Sequence, residues 1–293
     1  MAVQPAEIAA GTVPVELTAP AAGGGRLLRS GGLALSLALL VVIFGACFIW
    51  PLVGSVPRPT GGSVLNANLS IGAPGHLLGT DPVGNDELSR LLYGGRASLE
   101  VALAVNALGI VLGGLLGALA AYVGGVLDAV IMRFLDMLIA FPSLVLALAI
   151  AEGLGPGEVH TIWALAFFSV PAFARVARAE TLKVRERPFV AAAQLAGSRR
   201  WRILGAHIAP NILPQLITFA FLGMGITVVL EGALSFLGLG IPAPAPSWGN
   251  MIAQGQSVLS AQPRFVLLPS AALCLAVIAF NMLGDALRAR WAG

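Results

Sequence analysis

Charge is what this sequence has least of. Of its 293 residues only 11% are Asp, Glu, Lys or Arg, while 57% are hydrophobic before the 36 glycines are counted. Soluble domains carry about 25% charged residues, and so few polar groups cannot cover one apolar core in water. An ordinary globular enzyme and a disordered chain are both excluded. Cysteine is nearly absent: Cys47 and Cys274 lie in apolar runs, which excludes a disulfide scaffold and reads as two buried thiols. The phosphate-binding pattern G-x-x-x-x-G-K-[ST] does not occur, so the chain is not expected to bind ATP by itself. Three histidines, His76, His160 and His207, are too scattered for H-E-x-x-H, and G-x-S-x-G is missing. Neither a zinc site nor a serine nucleophile is indicated, and no cofactor or metal is expected in this chain.

What remains is a set of long uncharged runs. A spanning helix needs about 20 apolar residues, and the chain predicts an all-α polytopic membrane protein with six transmembrane helices. Residues 1–25, rich in Ala, Pro and Gly, read as a disordered tail. A retained first span follows (about Leu33 to Val53), then an extracytoplasmic loop, so that 26–95 form one unit. The second span is expected from Val101 to Leu127. The third starts among Asp128, Arg133 and Asp136, with Arg133 and Asp136 neutralising one another, and continues to Ala151. The fourth, Thr161 to Ala174, is short, holds Pro171 and needs residues on both sides to cross. The fifth covers Ile208 to Leu230 and the sixth Phe265 to Gly284. The four prolines between 232 and 263 forbid one continuous helix there, leaving a loop with short helical pieces. Residues 96–293 form a five-helix core.

Orientation follows from the positive charges. With both termini cytoplasmic, all but four of the 17 Lys and Arg fall inside, the exceptions being Arg58, Arg90, Arg96 and Arg264. No carboxylate stands mid-span: Glu231 and Asp285 lie at span ends and Glu100 just before the second. An ion-coupled secondary transporter, which uses such groups, is the disfavoured alternative. Glu231 reads as a helix end at the interface, Trp248 and Trp291 as interfacial anchors, and Asp285 with Arg288 as a local ion pair.

Two stretches stand out. Gly109, Gly113 and Gly117, four apart, line one helical face and predict close approach of another backbone. Residues 188–205 predict a helix–glycine–helix elbow. Pro188 suits a first helical turn, and Phe189, Val190, Ala191, Ala192, Ala193, Gln194 and Leu195 continue it. Gly197 breaks it, and Ser198 is placed to cap a second helix beginning Arg199-Arg200-Trp201. Small side chains at Ala191, Ala192 and Ala193 suit insertion into a partner's groove. The cations equally suit anionic lipid headgroups, and spacing alone leaves both open.

Ala192, Ala193 and Gly197 resemble the EAA signature of ABC-importer membrane subunits, although Ala191 stands where that signature has Glu. His207-Ile208-Ala209-Pro210-Asn211 resembles the stretch that follows it in the dipeptide/oligopeptide/nickel permease group of the DppC/OppC type. Leu78-Gly79-Thr80-Asp81-Pro82-Val83-Gly84-Asn85-Asp86 and Arg96-Ala97-Ser98-Leu99 are similar to the segment before that group's second span, with Asn85 where Arg is usual. Ser235-Phe236-Leu237-Gly238-Leu239-Gly240 with Pro246-Ser247-Trp248-Gly249, and Leu283-Gly284-Asp285 with Leu287-Arg288, resemble its outer loop and C-terminal end.

The resemblance implies a type I importer fold in the bacterial inner membrane. This chain would form the translocation path with a second permease subunit of DppB/OppB-like type. Two cytoplasmic ATPase subunits would bind the ATP and Mg, and an extracytoplasmic substrate-binding protein would deliver dipeptides or oligopeptides, or alternatively nickel or another small solute. Residues 188–205 would be the coupling helix, with Phe189, Ala191, Ala192, Ala193, Gly197, Arg199, Arg200 and Trp201 meeting the ATPase. The lipid bilayer is the remaining partner; no nucleic acid is expected.

Overall fold

The computed structural model describes residues 24–54 and 56–291, with side chains from position 32 onward. The tail expected over 1–25 lies outside the described residues for 1–23; Gly24 and Gly25 already belong to helix α1. That helix runs as Gly24–Phe44, a π turn Gly45–Ile49 and a last turn Trp50–Val53, closed by extended Gly54. The rest is α2 (Glu87–Val123), α3 (Gly125–Ile139), α4 (Ser143–Leu154), α5 (Glu158–Arg185), α6 (Pro188–Leu195), α7 (Arg200–Phe236), α8 (Trp248–Gly255) and α9 (Arg264–Trp291). Among the described residues the only β pairing is two isolated bridges in the loop before α2. Five helices are long and apolar enough to cross a membrane, and the bent pair α3–α4 makes a sixth candidate. The protein is all-helical and multi-pass.

Helix α2 is longer than its uncharged run. It starts at Glu87 rather than Val101, because the Asp86 side chain accepts the Ser89 N–H at 2.7 Å and caps the helix there. The preceding loop therefore ends at Asp86, not at residue 95. The charges that hid this start are paired: Arg90 with Asp81 at 3.5 Å and Arg96 with Glu100 at 2.8 Å. At its other end α2 stops at Gly124 (φ 71°) instead of reaching Leu127.

The third span is not continuous. Helices α3 and α4 meet at 85° across Ala140, Phe141 and Pro142. Pro142 adopts ψ 125°, and a proline drives the residue before it out of the helical region. The local pair Arg133–Asp136 does not form. Asp136 instead meets Arg175 at 2.7 Å, and Asp128 accepts two bonds from the Arg178 guanidinium, both at 2.7 Å. The acids of α3 thus hold it to α5. Nor do Asp285 and Arg288 pair within salt-bridge distance.

The fourth span extends both ways into the 28-residue α5, which keeps Pro171 inside it. The fifth becomes the 37-residue α7, with a π turn Leu204–Ile208 just before Pro210. Such a turn absorbs the backbone hydrogen bond that a proline cannot donate.

Three apolar clusters hold these helices together. One packs α1, α2, α7, α8 and α9 around Leu99, Val228 and Phe280. A second joins α2, α5, α6 and α7 through Ala118, Phe173, Val184, Val190 and Ile203. The third joins α2, α4, α5 and α7 through Val105, Ala151, Leu165 and Leu234. Cys47 is buried in the first, whereas Cys274 is exposed on the outside of α9; only one of the two thiols is a core residue.

Candidate functional site

The elbow is assembled from α5, α6 and the start of α7. Arg187 stands as N-cap and Pro188 opens α6 at a position where no N–H is needed. The helix closes in a Schellman arrangement: Ser198 N–H donates to Ala193 O at 3.1 Å and Gly197 N–H to Gln194 O at 3.0 Å. This requires the left-handed conformation at Gly197, whose φ is 74°. A Cβ there would meet nothing within 4 Å, so backbone angle alone selects glycine. Helix α7 then starts at Arg200 with Arg199 as N-cap and no side-chain cap. Ser198 does not cap it, because the N-cap position falls one residue later, at Arg199; the Ser198 N–H helps to close α6.

One residue of α6 is driven inward. Val190 is fully buried in the cluster with Val184 of α5 and Ile203, Leu204 and Ile208 of α7. Full burial of such a side chain is worth about 1.5–3 kcal/mol, so the short helix is keyed to two long ones. The sequence did carry a signal for it, as the one β-branched residue between Phe189 and the alanines. Ala193 is half-buried beside it, while Ala191, Ala192 and Gly197 are exposed. Phe189, its ring 6.5 Å from that of His207, is also exposed. Arg199, Arg200 and Trp201 are exposed too, with Trp201 at 71% and Leu195 at 91%. Below the elbow, Arg185 donates to the Ala121 carbonyl at 2.6 Å and ties the end of α5 to α2. The result is a surface of small, apolar and cationic side chains that none of the described residues covers, mounted on two spanning helices.

Gly109, Gly113 and Gly117 all face α5. A Cβ would collide with the Phe173 ring and Ser169 at the first, and with the carbonyls of Val170 and Ala174 at the other two. The first two of these glycines bound a five-residue π turn of α2, Gly109–Gly113.

The opposite end of the bundle is built around a carboxylate. Glu231 of α7 is fully buried, not a helix end at an interface. Its Oε1 accepts the Ser235 hydroxyl at 2.7 Å; Ser98 on α2 and Ser247 beside α8 lie close by, and Oε2 has no hydrogen-bond partner among the described residues. Those serine oxygens in turn accept backbone N–H groups: Ser235 from Ile241, Ser98 from Trp248 and Ser247 from Asn250. Trp248 is 2% exposed and donates its indole N–H to the Leu91 carbonyl at 3.0 Å. It is an internal pin between α8 and α2 rather than an interfacial anchor, fitting where Gly95 lacks a side chain. Among the described residues no group of three or more His, Cys, Asp or Glu is placed to hold a metal ion.

Residues 109–291 match the family model described as the binding-protein-dependent transport system inner membrane component. The chain is 39% identical over 213 residues to the glutathione transport system permease protein GsiD of Pectobacterium atrosepticum, covering 73% of this chain and 71% of that one. It is 40% identical over 213 residues to the dipeptide transport system permease protein DppC of Alkalihalophilus pseudofirmus, covering 73% and 70%. Over 281 residues it is 38% identical to a putative peptide transport system permease protein of Brucella suis, covering 95% and 91%. With six candidate spans, an all-helical core and this match over most of its helices, the chain belongs to the inner-membrane permease family of binding-protein-dependent transport systems.

Proposed function

We propose that this chain is one of the two membrane subunits of an ATP-driven peptide importer and that its elbow at 188–205 receives the mechanical work. The observation that carries this reading is the elbow itself, an exposed small-residue helix keyed by Val190 into α5 and α7. The charge asymmetry supports a cytoplasmic position for it, since the cations of 175–202 fall within and beside it in sequence. The chain has no phosphate loop, so ATP and Mg are assigned to two cytoplasmic ATPase subunits. A second, similar permease completes the path, and an extracytoplasmic binding protein supplies substrate, as the family description implies. Peptides are the substrate class because relatives are named for dipeptides, for glutathione and for peptides.

Closure of the ATPase pair moves α6, and the buried Val190 passes that movement to both long helices. Ala191 presents no carboxylate to the ATPase, so docking rests on shape, on Phe189, Leu195 and Trp201, and on Arg199 and Arg200. Between a protein groove and a lipid anchor, the exposed alanine face favours the groove, because headgroups do not select for small side chains.

The test is peptide uptake and ATP hydrolysis by the reconstituted importer, with both permeases, both ATPase subunits and the binding protein. Ala192→Arg enlarges an exposed position and leaves the buried side of α6 untouched. It should abolish uptake and uncouple hydrolysis from the binding protein while the chain stays in the membrane. Normal uptake by this variant would remove the elbow from the mechanism, and hydrolysis by the isolated chain would overturn the assignment of ATP to a partner.

A further inference from the structure

On the outer face a groove of about 580 Å³ runs between the loop at 81–85, the start of α2 and helix α8. Its walls are mainly apolar: Val83, Pro244, Met251, Val258 and Phe265 contribute. Two carboxylates, Asp81 and Glu87, and the Arg90 guanidinium also line it; Glu87 is 2% exposed, and its Oε1 has no hydrogen-bond partner among the described residues.

The other charged groups around Glu87 are occupied. Arg90 meets Asp81 at 3.5 Å and donates to Gln254 Oε1 at 2.7 Å. Asp81 also accepts the N–H groups of Val83 and Asn85, and Asp86 holds His76 at 2.8 Å. Arg264 spends its guanidinium on the carbonyls of Leu69 and Leu78 and on Gln262. Glu87 is therefore a buried carboxyl group whose neighbouring cations are committed elsewhere. A buried carboxylate without a partner is unfavourable, and a cation brought to it gains a charge-assisted hydrogen bond.

From this we infer that the groove is the receptor for a lysine or arginine side chain of the extracytoplasmic binding protein. The apolar walls take the methylene stem and Glu87 takes the charged tip, the division that long basic side chains make elsewhere. The opening faces the side from which the binding protein approaches, and the complementary charge points to a basic side chain. This rests on the chain being a permease subunit of a binding-protein-dependent importer, and it adds a residue-level contact to that reading.

The experiment measures ATP hydrolysis by the complex in vesicles as its own binding protein is titrated. Glu87→Gln should raise the half-maximal binding-protein concentration about tenfold with the maximal rate unchanged, and Glu87→Asp should recover part of the loss. Added salt should weaken wild type more than Glu87→Gln. Ser257→Lys, at an exposed position on the groove, places an internal cation near the carboxylate and should give the same shift without disturbing the buried loop. Among lysine-to-alanine and arginine-to-alanine variants of the binding protein, one should show no further loss when combined with Glu87→Gln. Unchanged half-maximal concentrations in both Glu87→Gln and Ser257→Lys would overturn the inference. So would a shift seen only in vesicles containing phosphatidylethanolamine, which makes a lipid amine the occupant. A shift only in peptide dependence at saturating binding protein makes the peptide the occupant and overturns it equally. If wild type itself shows no stimulation by the binding protein, the importer reading fails instead.

Discussion

Gly117 of α2 lies so close to the carbonyl of Ala174 on α5 that a Cβ has no room. Gly113 stands in the same relation to Val170. Gly114, one residue along, faces only the Cδ1 of Leu216, at 3.2 Å from where its Cβ would be, and that is the end of a flexible side chain. The three glycines give an internal control. Gly113→Ala and Gly117→Ala push two backbones apart and should each cost about 1–3 kcal/mol. Gly114→Ala should be neutral or slightly stabilising, since alanine is better than glycine in a helix by about 1 kcal/mol. Thermal unfolding of the purified protein orders the three; equal midpoints would mean that α2 and α5 do not pack this way.

Glu231 supports a second comparison. Each of the three serines around it accepts a backbone N–H from residues 241–250, which leaves each hydroxyl proton free to be donated to the carboxylate. Gln at 231 still offers a carbonyl oxygen to Ser235, while Leu offers nothing. Every buried hydroxyl left without an acceptor costs about 1–3 kcal/mol. Glu231→Leu should therefore unfold at a clearly lower temperature than Glu231→Gln, and limited proteolysis should find its segment 237–247 more open. A Leu variant as stable as the Gln variant would show that the hydroxyls do not depend on residue 231.

The burial of Glu231 shows where the sequence stops being legible. Uncharged runs locate spans because lipid excludes charge, and each of the six candidates covers its run except that α2 stops short of Leu127. Ends are another matter. Arg90, Arg96 and Glu100 lie inside a helix because their partners are supplied by the same helix or by a loop folded over it, which no run length reveals. The 85° break at Pro142 was masked in the same way, since an apolar run reads alike whether straight or bent. The glycine spacing announced a close contact without naming α5 as the partner. Likewise Glu231 sits near a span end and Trp248 in the loop that follows, both places where interfacial residues are common, and only the packing of α8 into the bundle makes them internal. The elbow was readable because it depends on local chemistry: proline first, small residues next, glycine at the turn.

Gly197 allows the backbone and the docking surface of that elbow to be tested separately. Its φ of 74° suits glycine, then asparagine, and strains alanine by about 1 kcal/mol. Its N–H, donated to Gln194 O, is lost only with proline, which also cannot reach a positive φ. The open space around the position means that an added Cβ clashes with none of the described residues. The expected order for coupled peptide uptake is therefore wild type, Gly197→Asn, Gly197→Ala and last Gly197→Pro, with Gly197→Pro inactive although it is inserted. If side-chain bulk against a partner were the limit, Asn would fall below Ala. Transport and membrane insertion measured together for the four proteins separate the two: an order following backbone preference identifies the turn as the sensitive element, and an order following size identifies the partner's groove.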